Sequence, residues 1–346
     1  ASYVALGKYA AAEPHLQRAL ALREQHPDAA LPLASALGSM ANLYDVRGEF
    51  VRADSFYHRA LAALPSNSRD SAVAHRSADL ANQLARMQSQ QGHYPEAVAL
   101  LLQVLARQRQ LDGPISAAVA RTTGDLGVTL LQAGQVVRAD SAFEAAITVA
   151  RQLNPPDRLL EGTDLGRLAT ALDLQGKIAR SDSAYRMSLA ILDSIQGPDH
   201  PDVTWIRYNY AGSLADWGQP RRALDEADQV LALRGRTLPE THPMLPGVLI
   251  VKGQALASLG DHVGAAGAMQ EALTLRQQYL VPGHWLIGSA QALLGAELWD
   301  GGRTSEGLQL MTAGCRLLAK DLGREHPKTR DALSRLRKAG HPDACS

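Results

Sequence analysis

The chain has 346 residues, with 35 basic side chains against 35 acidic ones and a hydrophobic fraction of 46%. That balance supplies no global field to hold nucleic acid or an anionic membrane, so any partner must be recognised locally. Aromatics make up only 5%, while Ala, Leu, Gln and Arg are abundant, which favours helix over sheet and makes all-α the expectation.

No stretch approaches the roughly 18 consecutive apolar residues of a membrane span, so membrane insertion by this segment is not expected. Two cysteines, Cys315 and Cys345, are too few for a disulfide framework and lack CxxC spacing. They are expected to be a buried helical thiol and a tail thiol. The chain opens on Ala1 in mid-pattern and reads as a piece of a longer polypeptide.

Taken in order, the predicted elements repeat. Glycines recur at Gly7, Gly48, Gly92, Gly134, Gly176, Gly218, Gly260 and Gly302, with every interval from Gly92 onward equal to 42 residues. A period of that length signals a stacked repeat architecture. Seven residues before the glycine stands a small residue, as in Ala41, Ala85, Gly127, Ala169, Ala211, Gly253 and Gly295. Five after it comes another, in Ala12, Ala53, Ala97, Ala139, Ser181, Ala223, Ala265 and Gly307. Nine after it the side chain is mostly large: Leu16, Tyr57, Leu101, Phe143, Tyr185, Met269 and Met311, with Ala227 as the exception.

Steps of three and four place these positions on one helix face. Each unit is therefore two helices that meet at small residues. The glycine between them ends the first helix, in the left-handed conformation that a residue without Cβ adopts cheaply. His200-Pro201, His242-Pro243, His326-Pro327 and the in-phase His284-Trp285 mark the starts of first helices, where Pro forfeits no hydrogen bond. The spacing predicts a partial unit over 1–28, seven units with helices of roughly 16 to 20 residues over 29–326, and a polar capping helix with its tail over 327–346.

The phrase RGEFVRADSFYHRAL at 47–61 returns as AGQVVRADSAFEAAI at 133–147 and, more loosely, as QGKIARSDSAYRMSL at 175–189. A catalytic Asp-Ser pair need occur only once, so Asp54, Asp140 and Asp182 are expected to be scaffold. They are placed in the early turns of second helices, where the helix dipole favours a carboxylate.

This pattern resembles tetratricopeptide repeats in the 42-residue form of kinesin light chains and many bacterial signalling proteins. It is carried by ALGKYAAAEPHLQRALAL at 5–22, LGSMANLYDVRGEFVRADSFYHRALAAL at 37–64 and the Gly-x-x-His-Pro entries at 197–201 and 323–327. The resemblance implies a right-handed α-α superhelix of about seven helix pairs, whose first helices line a concave groove for a peptide or partner protein. Carried over by position, ten and six residues before the turn glycine, the groove candidates include Asn42, Asn82, Arg86, Thr170, Tyr208 and Gln254, and toward the C-terminal half Trp205, Tyr208 and Trp299 are expected to form an apolar, aromatic surface. Asn82 matches an asparagine that holds a bound peptide's backbone, and Arg86 one turn on suits a carboxylate. A chaperone-type carboxylate clamp is not expected, because Gly38 stands where a Lys would help. The structural set is Gly48, Gly92, Gly134, Gly176, Gly218, Gly260 and Gly302 with Ala53, Ala97, Ala139, Ala223 and Ala265.

Catalytic motifs fail on inspection. AHRSAD at 74–79 has Ser77 where a kinase catalytic Asp would stand, and no phosphate loop, HExxH or GxSxG occurs. The four in-phase histidines are a whole repeat apart, too far to converge on one ion, so no metal and no cofactor is expected.

The expected function is a non-catalytic protein-interaction scaffold. The alternative is the sensor or recruitment region of a larger bacterial serine/threonine kinase or other signalling enzyme, a lineage to which the Arg and Ala richness points. Self-association through the open N-terminal end is a further expectation. The expected location is the cytoplasm, or an extracytoplasmic space if the parent carries a membrane span upstream.

Overall fold

The computed structural model describes residues 9–26, 29–65, 68, 70–239 and 242–345. Gly7, first of the periodic glycines, lies outside them. The described helices are α1 (Tyr9–Glu24), α2 (Ala30–Val46), α3 (Phe50–Ala62), α4 (Ser71–Gln90), α5 (Tyr94–Asp112), α6 (Ala117–Gln132), α7 (Val136–Gln152) and α8 (Arg158–Leu174). They continue as α9 (Ile178–Gln196), α10 (Pro201–Asp216), α11 (Pro220–Leu231), α12 (Leu245–Ser258), α13 (His262–Tyr279), α14 (Trp285–Asp300), α15 (Thr304–Leu322) and α16 (Pro327–Lys338). Two compact units divide the chain, residues 1–191 and 192–346, with the boundary inside α9.

Within each unit a first and a second helix are joined by a tight turn at the periodic glycine. Gly48, Gly92, Gly134, Gly176, Gly218, Gly260 and Gly302 all take φ between 70° and 88°, a region where a Cβ would be strained. The turn brings together the small residues on either side. Ala53, Ala97 and Ala139 in the first unit, and Ala223 and Ala265 in the second, are wholly buried. At α14 and α15 the two backbones touch: a Cβ on Gly295 would lie 2.6 Å from the Gly307 carbonyl oxygen, and one on Gly314 would lie 2.4 Å from that of Gly288. Residues 295 and 288 meeting 307 and 314 fix the pair as antiparallel.

The same small positions make room for the large residues nine past the glycine. A Cβ on Gly127 would lie 2.6 Å from the Phe143 ring, and one on Gly253 would lie 2.8 Å from Met269 Cγ. Tyr57, Leu101, Phe143 and Tyr185 in the first unit, and Met269 and Met311 in the second, are buried accordingly.

The Ala227 exception has a physical cause. α11 stops after 12 residues, shorter than the 16 to 20 expected from the spacing, and Gly235 at φ 74° turns the chain. Leu233, Leu238 and Met244 from the following segment fill the space beside Ala227 and Val230. α3, at 13 residues, is likewise short, ending ahead of Pro65.

The histidines before first helices cap them. Nδ1 of His200, His284 and His326 accepts from the backbone N–H two residues on, at 3.2, 3.1 and 3.2 Å, satisfying one of the donors that a helix start leaves open.

The expectation of two free thiols is overturned. Cys315 of α15 and Cys345 of the tail are joined in a disulfide, with Cα atoms 5.6 Å apart. Gly340, at φ 82°, reverses the chain after α16, so the tail returns to α15. α16 buries only Thr329, Ala332 and Leu336, a small apolar contribution, and the cross-link ties it down.

Replacing wholly buried Ala139→Leu overpacks the α6–α7 contact and is expected to cost about 1–3 kcal/mol, whereas exposed Gln135→Lys changes stability little. Thermal unfolding of both variants checks this, and equal effects would place the contact elsewhere. Cys345→Ser is expected to lower the stability of the C-terminal cap by about 3–4 kcal/mol through loop-closure entropy. Hydrogen exchange of the α16 amides reads this directly.

Candidate partner-binding face

With one helix face committed to packing, the opposite face of the first helices carries the positions marked from the sequence. In the first unit these helices are α2, α4, α6 and α8, which also touch one another in sequence. Asn42 is half-buried on α2. Asn82 donates from Nδ2 to Thr122 Oγ1 at 2.9 Å, so its amide joins α4 to α6. Its Oδ1 is enclosed and has no partner. Thr170 turns toward its own second helix, with Oγ1 3.1 Å from the Tyr185 hydroxyl.

Arg86 is largely exposed, with Nη2 3.8 Å from Asp45 Oδ2. It belongs to a ladder of charges that periodicity alone does not reveal. Burial raises the Asp45 carboxyl, and Arg86 partly offsets that. On α6, burial likewise raises Asp125, against the pull of Arg167, Arg86 and Arg121. On α8, Arg167 Nη1 donates to buried Asp164 Oδ1 at 2.9 Å. Burial pushes Asp164 up to about 6, Arg167 opposes this, and Asp125 adds to it. Gly124 is what admits Asp164, since a Cβ there would lie 2.8 Å from both carboxylate oxygens. The one available sequence signal was this glycine, at a row position where Asn82 stands one repeat earlier.

In the second unit the row is aromatic. Trp205 on α10 is 53% exposed and lies 5.7 Å, centroid to centroid, from the Tyr208 ring. Tyr208 is half-buried and packs on the cluster around Val248 and Leu249. Gln254 on α12 is half-buried. Trp299 on α14 packs onto the C-terminal cluster and meets His341 of the disulfide-tied tail edge-on at 5.8 Å. The tail thus covers part of Trp299.

The Asp-Ser phrases resolve into structural contacts. Asp140 Oδ2 accepts from Gln175 Nε2 at 3.1 Å and Lys177 Nζ at 3.0 Å, both at the turn of the next repeat. Glu13, in the same phase, accepts from Tyr44 and Arg47 of the next pair at 2.9 and 2.6 Å. These acids join neighbouring repeats, a role beyond the expected favourable charge at a helix start. Asp54 lies 3.6 Å from His58, and Asp182 3.1 Å from Arg186, each within its own helix. Ser141 Oγ donates to the Val137 carbonyl, and Ser183 Oγ to Met187 Sδ. No described helix is long and apolar enough to cross a membrane.

Family models of the tetratricopeptide repeat match residues 1–26, 36–71 and 76–152. The chain is a tetratricopeptide-repeat array. In fold the array is similar to the apo form of the quorum sensor NprR from B. thuringiensis, at 8% identity and a TM-score of 0.66, covering 91% of this chain and 85% of that one. It is similar to the apo form of RapI, at 12% identity and a TM-score of 0.63, over 88% of this chain and 87% of that one. BtubC (BKLC) from P. vanneervenii aligns at 17% identity and a TM-score of 0.56, over 71% of this chain and 94% of that one. No curated protein matches the array in sequence. The repeat is of a type that serves as a scaffold for protein–protein contacts.

The Asp164 carboxyl gives the array a signed pH dependence. An unfolded aspartate titrates near roughly 3.9, below the folded value of about 6. The folded state therefore holds an extra proton between the two. Stability from this group is fully present below roughly pH 4 and is lost as pH rises through about 6, by up to about 3 kcal/mol. Asp164→Asn is expected to flatten the slope of unfolding free energy against pH over that window in urea titrations. An unchanged slope would exclude Asp164 as its source.

Proposed function

We propose that the array is a non-catalytic scaffold that receives a peptide or partner protein along the row on its first helices. It is organised as a partial unit over 1–28, seven repeats over 29–326 and the cap over 327–346. The observation that carries this is Trp205, an indole 53% exposed on α10 beside the row position Tyr208. Packing does not use that surface, and large exposed aromatics are what protein interfaces draw on. Asn42, Asn82, Arg86 and Thr170 supply polar contacts on the first helices of residues 1–191, and within residues 192–346 Gln254 supplies a polar contact and Trp299 a partly covered apolar one. A protein partner suits the row better than nucleic acid, because Arg86, Arg121 and Arg167 alternate with Asp45, Asp125 and Asp164 instead of forming a basic stripe.

The Cys315–Cys345 disulfide favours an oxidising, extracytoplasmic setting over the cytoplasm, where thiols are kept reduced. That setting fits a recruiting arm held outside a membrane by a larger signalling protein. A kinase catalytic loop upstream of Ala1 would support the kinase form of this reading.

The test is affinity capture with the whole chain, mapping of the captured protein on a peptide array, and repetition with Asn82→Ala, Arg86→Ala and Trp205→Ala. At least one variant is expected to weaken binding by about tenfold or more, as loss of a hot-spot contact does. Unchanged binding by all three would move the interaction to another face.

A further inference from the structure

In a repeat array the frame recurs, so residues that break the repeat where the frame does not need them mark a local requirement. One such break gathers at the boundary between α13 and α14. Five residues before their turn glycines the other first helices carry Leu43, Met87, Thr129, Ala171, Ser213 and Ala255, whereas α14 carries Glu297. Two after the glycine, where other second helices have Phe50, Tyr94, Val136 or Ile178, α13 begins on His262. Seven after it, where Ser55, Ala99, Ser141, Ser183 and Asp225 stand, α13 has Gly267.

The three departures meet in one cavity of about 300 Å³ between α13, α14 and the turn into α15. Glu297 is only 8% exposed, and among the described residues its one partner is His262, with Nδ1 3.2 Å from Oε2. A histidine carries charge only when protonated, and Arg303, the guanidinium at the cavity, pairs with Glu306. The Glu297 carboxylate is thus enclosed without a permanent cation, which costs stability unless a ligand supplies one. Buried Leu294 and Leu298 line the same space. A Cβ on Gly267 would meet no atom within 4 Å, so the missing side chain leaves the cavity open, and exposed Val263 stands at its mouth.

We propose that this cavity binds an alkylammonium group, presented by a lysine side chain or by a free aliphatic amine, with the methylenes along Leu294 and Leu298 and the ammonium on Glu297. Apolar walls suit the stem. A carboxylate with one oxygen engaged by His262 accepts a compact point charge better than the two-pronged guanidinium of arginine. Among the described residues no three His, Cys, Asp or Glu side chains are grouped to hold a metal ion, which favours an organic cation. The volume lies at the lower end of the roughly 300–1,000 Å³ of small-molecule sites, which suits a single aliphatic chain. The site lies off the row of first-helix positions and does not depend on the use of that row.

The whole chain, labelled at valine and leucine methyls, is titrated by NMR at constant pH and ionic strength with n-butylamine, 1-butanol, n-butylguanidine and zinc chloride. The expected result is a saturable shift of the Val263 and Leu298 methyls with n-butylamine, with affinity at least about tenfold weaker for 1-butanol. Acetyl-Ala-Lys-Ala-amide and 1,4-diaminobutane then separate the two sources, the tighter binder naming the ligand. Glu297→Gln should abolish the response, because it keeps the shape and removes the charge. Gly267→Phe should abolish it in a chain that still folds, because the new side chain enters open space and phenylalanine suits a helix better than glycine. Equal response to 1-butanol, stronger response to n-butylguanidine or zinc chloride, or an unchanged response in either variant would overturn the assignment. A marked fall in the unfolding temperature of Glu297→Gln, with no amine response in the parent, would make the His262–Glu297 contact a structural tie alone. Trp205→Ala should leave the amine response intact, so failure of the row and failure of this site are read separately.

Discussion

Close approach of two helix backbones, at small residues seven before and five after each turn glycine, is the constraint on which everything else in the array depends. At α14 and α15 the contact is glycine on glycine, with carbonyl oxygens where side chains would otherwise be. Such proximity lets one large residue per second helix, such as Phe143 or Met269, reach into the space its opposite small residue leaves open. It also rotates each first helix into a fixed phase, so that the side chains facing away from the contact are the same ones in every repeat. A helix pair cannot bury its apolar face alone, and stacking on neighbours completes the core.

Fixing the phase separates scaffold from surface. The second helices carry the contacts that hold repeats in sequence, including Asp140 and Glu13 reaching the next turn. The first helices keep a row whose chemistry is free to vary. In residues 1–191 a ladder of Asp and Arg lies beside that row, three of its carboxylates raised by burial. In residues 192–346 the side chains beside the row are aromatic, with Trp205 next to Tyr208 and the partly covered Trp299 farther on. A ladder of alternating charge specifies register more than it supplies affinity, whereas exposed aromatic rings supply contact area at small entropic cost. The two units thus offer different chemistry on one repeated frame.

Much of the frame was legible in the sequence because its causes are local and periodic. Glycine at a left-handed turn, alanine at a close contact and histidine with proline at a helix start each follow from one residue's own geometry, repeated every 42 residues. What escaped depends on contacts between repeats or on departures from the period. The shortened α11 follows from Gly235, which has no counterpart in other units. The disulfide joins positions that only the reversal at Gly340 brings together. Asp164 and Arg167 lie between the row positions that family spacing marks, and Gly124 signals their presence only once the neighbouring helix is placed. Asn82 was legible as a row position, but its commitment to Thr122 was not, because that bond crosses 40 residues of sequence.

The central proposal is that small-residue contacts build the frame while the first helices meet the partner. A saturation mutagenesis scan of the whole chain, scored in parallel for folded abundance and for retention of the captured partner, tests it in one measurement. The account predicts abundance losses recurring at the positions seven before, five after and nine after each turn glycine, with losses of binding at normal abundance concentrated on the first helices. Binding-only losses concentrated on the outer faces of second helices would contradict it.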